Sequence, residues 1–189
     1  MKLSLLLSNI KNNNIISEYS HSNYIDMVSG VPCLHMDCSG FVFWYLLNNG
    51  YKRALAELKF FLKENNFIKI TRFYCKDFAE MHQQQDKFHY WQFMNKPAKE
   101  SILVIVFPDG NGHCMIVNEI IQQSATSYEL NIIDSTRYPH RNDSRTIDQT
   151  GIGIGNVSIQ LKNGEWYYDA GNDMLGIRQA MVYFIKPVK

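Results

Sequence analysis

Three side chains in this 189-residue chain have the types and placement of a hydrolytic site: Cys38, His113 and Asp134. Cys38 follows Asp37, a residue type that caps helices, so it is expected in the first turn of a helix. The unpaired N–H groups and the dipole there favour a thiolate. A cysteine so placed can fall from a pKa of about 8.5 to about 3.5–7.5. Ser39 and Gly40 keep the helix start small enough for a carbonyl to approach, and the Cys38 N–H is a candidate oxyanion donor. The alternative is a cysteine that acts as a small core hydrophobe. His113 follows the turn-rich Asp109–Gly112 and opens a strand, where its side chain can sit at the mouth of a cleft as a base. If Gln122–Ser127 is the turn after that strand, residue 136 falls opposite His113. Asp134 then lies diagonal to His113 on the same face, placed to orient the imidazole. A one-residue slip would point it away and leave it a turn residue that bonds to backbone.

Other elements must position these groups. Asp37 to Leu47 reads as a buried helix stopped by Asn48-Asn49-Gly50. A second helix spans Lys52 to Lys63, with Leu55, Leu58, Phe61 and Leu62 on one face, and ends at Asn65-Asn66. Residues 72–94 are polar and aromatic by turns and read as an irregular helical insertion closed by Pro97. The chain then changes period. Ile102–Phe107 is a buried strand, His113–Ile121 and Tyr128–Ile133 are two more, and Asn163-Gly164 joins a hairpin of Val157–Leu161 and Trp166–Asp169. Met181–Ile185 is a closing strand. The expected architecture is a single α+β domain over 1–189, with N-terminal helices packed on an antiparallel sheet.

Asp37-Cys38-Ser39-Gly40-Phe41-Val42 resembles the D-C-S-G-[FL]-V signature of the NlpC-type cysteine peptidases, bacterial cell-wall hydrolases with a papain-like core. Gly112-His113-Cys114-Met115-Ile116-Val117 is similar to that family's second motif, G-H-V-[GA]-I-Y. The resemblance implies Cys38 as nucleophile, His113 as base and Asp134 as the polar third member on the following strand. It also implies a papain-like fold and a peptide or peptidoglycan-fragment substrate. Tyr24 stands where the family has an active-site tyrosine, although Ile25–Gly30 lacks the glycine pair that normally follows. These departures surround the substrate cleft rather than the reacting groups.

Asp37 and Ser39 flank the nucleophile and are candidates for the oxyanion or substrate subsite. In the polar loop 137–145, His140 and Arg145 are candidates to hold a substrate carboxylate; the alternative is a solvated loop. Gly151-Ile152-Gly153-Ile154-Gly155 reads as the bulged start of a strand and not as a nucleotide loop, since no strand-to-helix context surrounds it. Cys114 is expected on the far face of the sheet from His113. Without a closed ligand spacing among the cysteines and histidines, neither a metal nor another cofactor is expected.

Hydrophobic residues make up 46% of the chain and charged residues 20%, with a net charge of +1, the balance of a folded globular protein. The charge disfavours a nucleic-acid partner. The apolar run after Met1 ends at Leu7, too short for a secretory core. No stretch is long enough to span a membrane, so a cytoplasmic protein or one exported by a non-classical route is expected. The leading expectation is an amide hydrolase working through an acyl-enzyme, with a peptidoglycan stem peptide as substrate. The alternatives are a deamidase, acyltransferase or thioester hydrolase acting on an intracellular or host protein, and a non-catalytic module that keeps the cleft. Nothing in the residues indicates an oligomeric state.

Overall fold

The computed structural model describes residues 2–64, 73–172 and 174–189. Four helices precede most of the strands: α1 (Leu3–Lys11), α2 (Cys38–Asn48), α3 (Lys52–Glu64) and α4 (Cys75–Gln83). A small sheet of β1 (Ile16–Glu18), β2 (Tyr24–Val28) and β3 (Val31–His35), in the order β1-β3-β2, lies between α1 and α2. The large sheet contains β4 (Trp91–Met94), β5 (Ile102–Val106), β6 (Gly112–Gln123), β7 (Ser127–Thr136), β8 (Gly151–Lys162), β9 (Glu165–Asp169) and β10 (Ile177–Pro187).

The large sheet closes on itself, and this overturns the expected papain-like α+β core. Strands β5 to β10 form a six-stranded antiparallel barrel, β4 pairs with the last residues of β10, and only 25% of the described residues are helical. Closure depends on the length of β10. Its second half, Met181–Ile185, pairs with β5, while its first half, Ile177–Ala180, pairs with β9. The sequence reading places a strand only at Met181–Ile185, because Ile177-Arg178-Gln179 is exposed or half-exposed and shows no buried alternation. With the first half unseen, the sheet reads as open.

The barrel interior is filled by one set of alternating side chains, including Leu103, Met115, Leu130, Val157, Tyr168 and Phe184, one from each of the six strands. The opposite faces of β5, β6 and β7 are equally apolar. Ile102, Val104, Cys114, Ile116 and Ile133 pack with Phe41 and Val42 of α2 and Phe78 of α4. Strands buried on both faces appear as unbroken apolar runs, which explains Ile102–Val106.

Several expected elements stand with adjusted limits. The helix expected from Asp37 runs from Cys38 to Asn48, and Leu55, Leu58, Phe61 and Leu62 are all buried along α3. The expected stop at Asn65-Asn66 and the start of the insertion at Arg72 lie outside the described residues. The rest of that insertion is α4, a 3-10 turn at Gln85–Lys87 and β4, so it is not wholly helical. Asn163 (φ 54°) and Gly164 (φ 83°) form the expected two-residue hairpin turn between β8 and β9. No helix among the described residues is long and apolar enough to cross a membrane.

The seating of α4 on β6 depends on Gly112. A Cβ there would stand 2.5 Å from the Ile105 carbonyl oxygen and 2.6 Å from the Cys75 Cβ. Neither backbone nor a helix-start Cβ can move aside cheaply. Gly112→Ala is therefore expected to destabilise the chain by about 1–3 kcal/mol, as overpacking does. Thermal unfolding checks this, and an unchanged midpoint would show that α4 is loosely seated.

Candidate active site

Asp37 caps α2 as the sequence suggests. Its backbone is extended (φ −84°, ψ −176°), and its Oδ1 accepts from Gly40 N at 2.8 Å and from the Ser39 hydroxyl at 2.8 Å. The Asn23 side chain lies against Gly40 where a Cβ would stand, and its Oδ1 accepts from Asp37 N at 3.3 Å. The segment before the helix is tied to the barrel, because the Ser135 hydroxyl donates to the Met36 carbonyl at 2.5 Å. Cys38, the first residue of α2, is thus fixed from both sides and is 9% exposed.

His113 and Asp134 meet in the barrel. His113 Nε2 lies 2.5 Å from Asp134 Oδ2 and donates to it. That bond leaves Nδ1 for Cys38, and the Cys38 and His113 side chains are within hydrogen-bonding reach. The diagonal placement arises by a route the sequence conceals. The β6–β7 turn lies further along the chain than Gln122–Ser127, since Gln123 pairs with Tyr128. Two irregularities, between Val117 and Glu119 and between Ile120 and Gln122, then shift β6 back. They restore, near the site, the register that a simple hairpin about Gln122–Ser127 would have given, with Ile116 opposite Ile133.

Asp134 is completely buried and is held by more than His113. His140 Nε2 lies 2.8 Å from the same Oδ2, with His140 Nδ1 2.8 Å from the Ala170 carbonyl. The Arg145 guanidinium donates to Asp134 Oδ1 at 3.0 Å, to Asp143 at 2.6 and 2.8 Å, and to the Gly151 carbonyl. The sequence reading offers His140 and Arg145 as candidates to hold a substrate carboxylate, with a solvated loop as the alternative. In the structure both are buried, not solvated, and bond to Asp134, Asp143 and the backbone behind it. The overlooked signal is the glycine alternation of β8. Gly153 pairs with Asp134 across the sheet, and a Cβ there would stand 2.3 Å from Arg145 Nε. A Cβ on Gly155 would stand 2.7 Å from both the His140 Cβ and Asp143 Oδ2. The glycines make room for the loop that holds the carboxylate.

Two further candidates are also engaged otherwise. Ser39 is buried with its hydroxyl on Asp37, and Tyr24 is half-exposed on β2, stacked on His35 with ring centroids 4.3 Å apart. Cys114 does turn away from His113, but α2 and α4 cover that face, so its sulfur faces the site. The sulfurs of Cys38, Cys75 and Cys114 lie within 4.8 Å of one another. All four cysteines are free and buried.

The electrostatics follow from these contacts. Hydrogen bonds with the Cys114 and Cys75 thiols, reinforced by the charge and bond of His113, outweigh burial and hold the Cys38 thiol well below its ordinary value. Cys114 is pushed well up by its bonds to Cys38 and Cys75 and by burial. For Cys75 the bond with Cys114 acts downward, but Cys38 and burial outweigh it. Burial alone would favour a neutral His113; the Cys38 charge and the Asp134 bond lift it to about 10. Burial likewise opposes ionisation of Asp134, yet the charges of His140 and Arg145 and the bonds from His113 and His140 hold its carboxyl well below the usual range. Both shifts favour a thiolate beside an imidazolium. Compared with protein-family models, with curated proteins and with solved structures, the chain gives no match.

Removing the Asp134 charge leaves buried cations without their counter-ion. Asp134→Asn is expected to lower stability by about 3–5 kcal/mol near neutral pH. Because the folded-state carboxyl is held below its unfolded value, its contribution is full above about pH 4 and drains away as pH falls further. Urea unfolding of wild type and Asp134→Asn should therefore differ most at neutral pH and converge in acid. A constant difference would mean that the ion cluster is not what the carboxylate stabilises.

Proposed function

We infer that the protein is a thiol hydrolase that cleaves an amide through an acyl-enzyme. One observation carries this reading: Cys38, at a capped helix start, lies within reach of a histidine whose other ring nitrogen is fixed by a buried carboxylate. That is a nucleophile, a base and an orienter in the order such chemistry requires.

In the proposed reaction, the Cys38 thiolate attacks the carbonyl carbon and the carbonyl π pair moves onto oxygen. The first N–H groups of α2, that of Cys38 among them, are the oxyanion donors. As the tetrahedral centre collapses, His113 gives its Nδ1 proton to the departing amine, and the acyl group remains on Cys38. Neutral His113 then takes a proton from water as the water attacks the thioester. Collapse expels the thiolate, releases the acid and restores the imidazolium. Asp134 holds the imidazole throughout and stabilises its charged form, while His140 and Arg145 hold Asp134.

The resemblance of Asp37–Val42 to the NlpC-type signature supports a peptidoglycan stem peptide as the amide substrate, cleaved by endopeptidase or amidase action. Stem-peptide fragments incubated with the protein are expected to yield new amine termini by mass spectrometry. Cys38→Ala should abolish this, and His113→Ala should slow it by about 10²–10⁴-fold. In the native protein at neutral pH, iodoacetamide should modify Cys38 before Cys33, whose thiol burial pushes up. Alkylation of Cys38 no faster than that of Cys33 would overturn the hydrolase reading. Rapid alkylation without cleavage of any stem peptide would overturn the substrate alone.

A further inference from the structure

We propose that Cys38, Cys75 and Cys114 form a three-thiolate site for a zinc ion, and that its occupancy silences the nucleophile. The first clause stands on the sulfur geometry, and the second rests on the hydrolase reading above.

The three sulfurs come from three separate elements, the starts of α2 and α4 and the strand β6, and converge within 4.8 Å of one another. Zinc binds thiolate at about 2.3 Å, which sets neighbouring sulfurs about 3.8–4 Å apart, so small side-chain adjustments suffice. All three residues are buried, at 9%, 8% and 0% exposure, in an otherwise apolar cluster. Among the described residues no hard oxygen ligand is grouped with them, and an all-sulfur set selects a soft or borderline ion.

The convergence is built into the backbone. Gly112 lets Cys75 approach β6, since a Cβ there would lie 3.1 Å from the Cys75 sulfur. Ser135 holds the segment that begins α2. The starts of both helices favour negative charge on the sulfurs they carry. Three thiolates with a divalent ion leave one negative charge, which His113 faces.

A second trio, His113, Asp134 and His140, also brings ligand atoms within 4.8 Å. It is already filled, because Arg145 occupies Asp134 Oδ1 and both histidines share Oδ2. A cation placed there would meet the guanidinium. Arg145 makes its bonds to Asp134, Asp143 and Gly151, and none among the described residues to the three sulfurs.

Metal on the Cys38 sulfur takes the electron pair that attack on a carbonyl needs. Zinc binding should therefore stop both amide cleavage and alkylation, and a chelator should restore them. This would make the site a reversible block rather than a catalytic centre.

The test uses the full chain, reduced and stripped of metal. Zinc titrated against a chromophoric chelator is expected to bind at one equivalent. Cys75→Ser and Cys114→Ser should each weaken that binding by on the order of 100-fold. Cobalt in place of zinc should give a thiolate charge-transfer band, falling by about a third per bound cobalt in each single Cys→Ser variant. The wild-type band needs no variant to fold. No stoichiometric zinc, no such band, or binding unchanged in both serine variants would each overturn the site. Zinc bound as expected, with Cys38 inert towards amides in the metal-free protein, would keep the site and remove the hydrolase reading. Zinc bound with alkylation of Cys38 undiminished would overturn the silencing.

Discussion

A fully buried carboxylate sets the terms for the rest of the molecule. Taking an ion of this size out of water costs several kcal/mol unless other groups replace the lost hydration. Asp134 obtains three replacements, from His113, His140 and Arg145. Each partner imposes a demand on the chain. Arg145 and His140 must fold inward, so the 137–145 loop turns back over β8. Gly153 and Gly155 must lack side chains, so that strand loses the alternation that usually marks a strand. His113 must present Nε2 to the carboxylate, which leaves Nδ1 for the cysteine.

The barrel and the helices communicate through consecutive residues of two strands. On β6, His113 turns with Met115 towards the barrel interior while Cys114 turns towards α2 and α4. On β7, Asp134 faces inward while Ser135 bonds to the Met36 carbonyl on the helix side. The period-two alternation of a strand therefore does two jobs within two residues. It places the imidazole–carboxylate pair on one face and anchors the cysteine helix on the other. A shift of either strand by one residue would lose both at once, which is a strong constraint on register. The two irregularities in β6 are part of that constraint, since without them Asp134 would not lie diagonal to His113.

What could be read from the sequence was what local chemistry determines. The cap at Asp37, the helix it begins, the Asn163-Gly164 turn and the apolar β5 all follow from neighbours within a few residues. The placement of Asp134 near His113 was legible for a different reason: two shifts of register offset a misplaced turn. Long-range closure was not legible. In the half of β10 that seals the barrel, Ile177-Arg178-Gln179 are exposed or half-exposed and Ala180 alone is buried, and its partner β9 is short. The β1–β3 sheet was missed because β2 is exposed along its whole length and shows no burial pattern to detect. His140 and Arg145 look like any residues of a polar loop until the glycines opposite them are seen as space for their side chains. Cys75 gave no sign, since its sulfur meets Cys38 and Cys114 only through the meeting of two helix starts on one strand.

That meeting explains how a thiolate can exist in so apolar a place. Burial alone would keep Cys38 protonated, as it helps to do for Cys114. The difference is the direction of the hydrogen bonds. The neighbouring Cys114 and Cys75 thiols and His113 act to lower the Cys38 thiol pKa, and the dipole at the start of α2 also favours negative charge there. Burial and the neighbouring Cys38 push Cys75 and Cys114 towards the thiol form, which can donate to that charge. Deprotonated, the same two residues become soft donors to whatever cation replaces their protons. A cluster that stabilises a buried thiolate through S–H donors is therefore, by the same geometry, a cluster that can bind a metal. On the proposed reading the two states exclude each other at Cys38, and availability of the nucleophile would depend on whether protons or a metal ion hold the other two sulfurs.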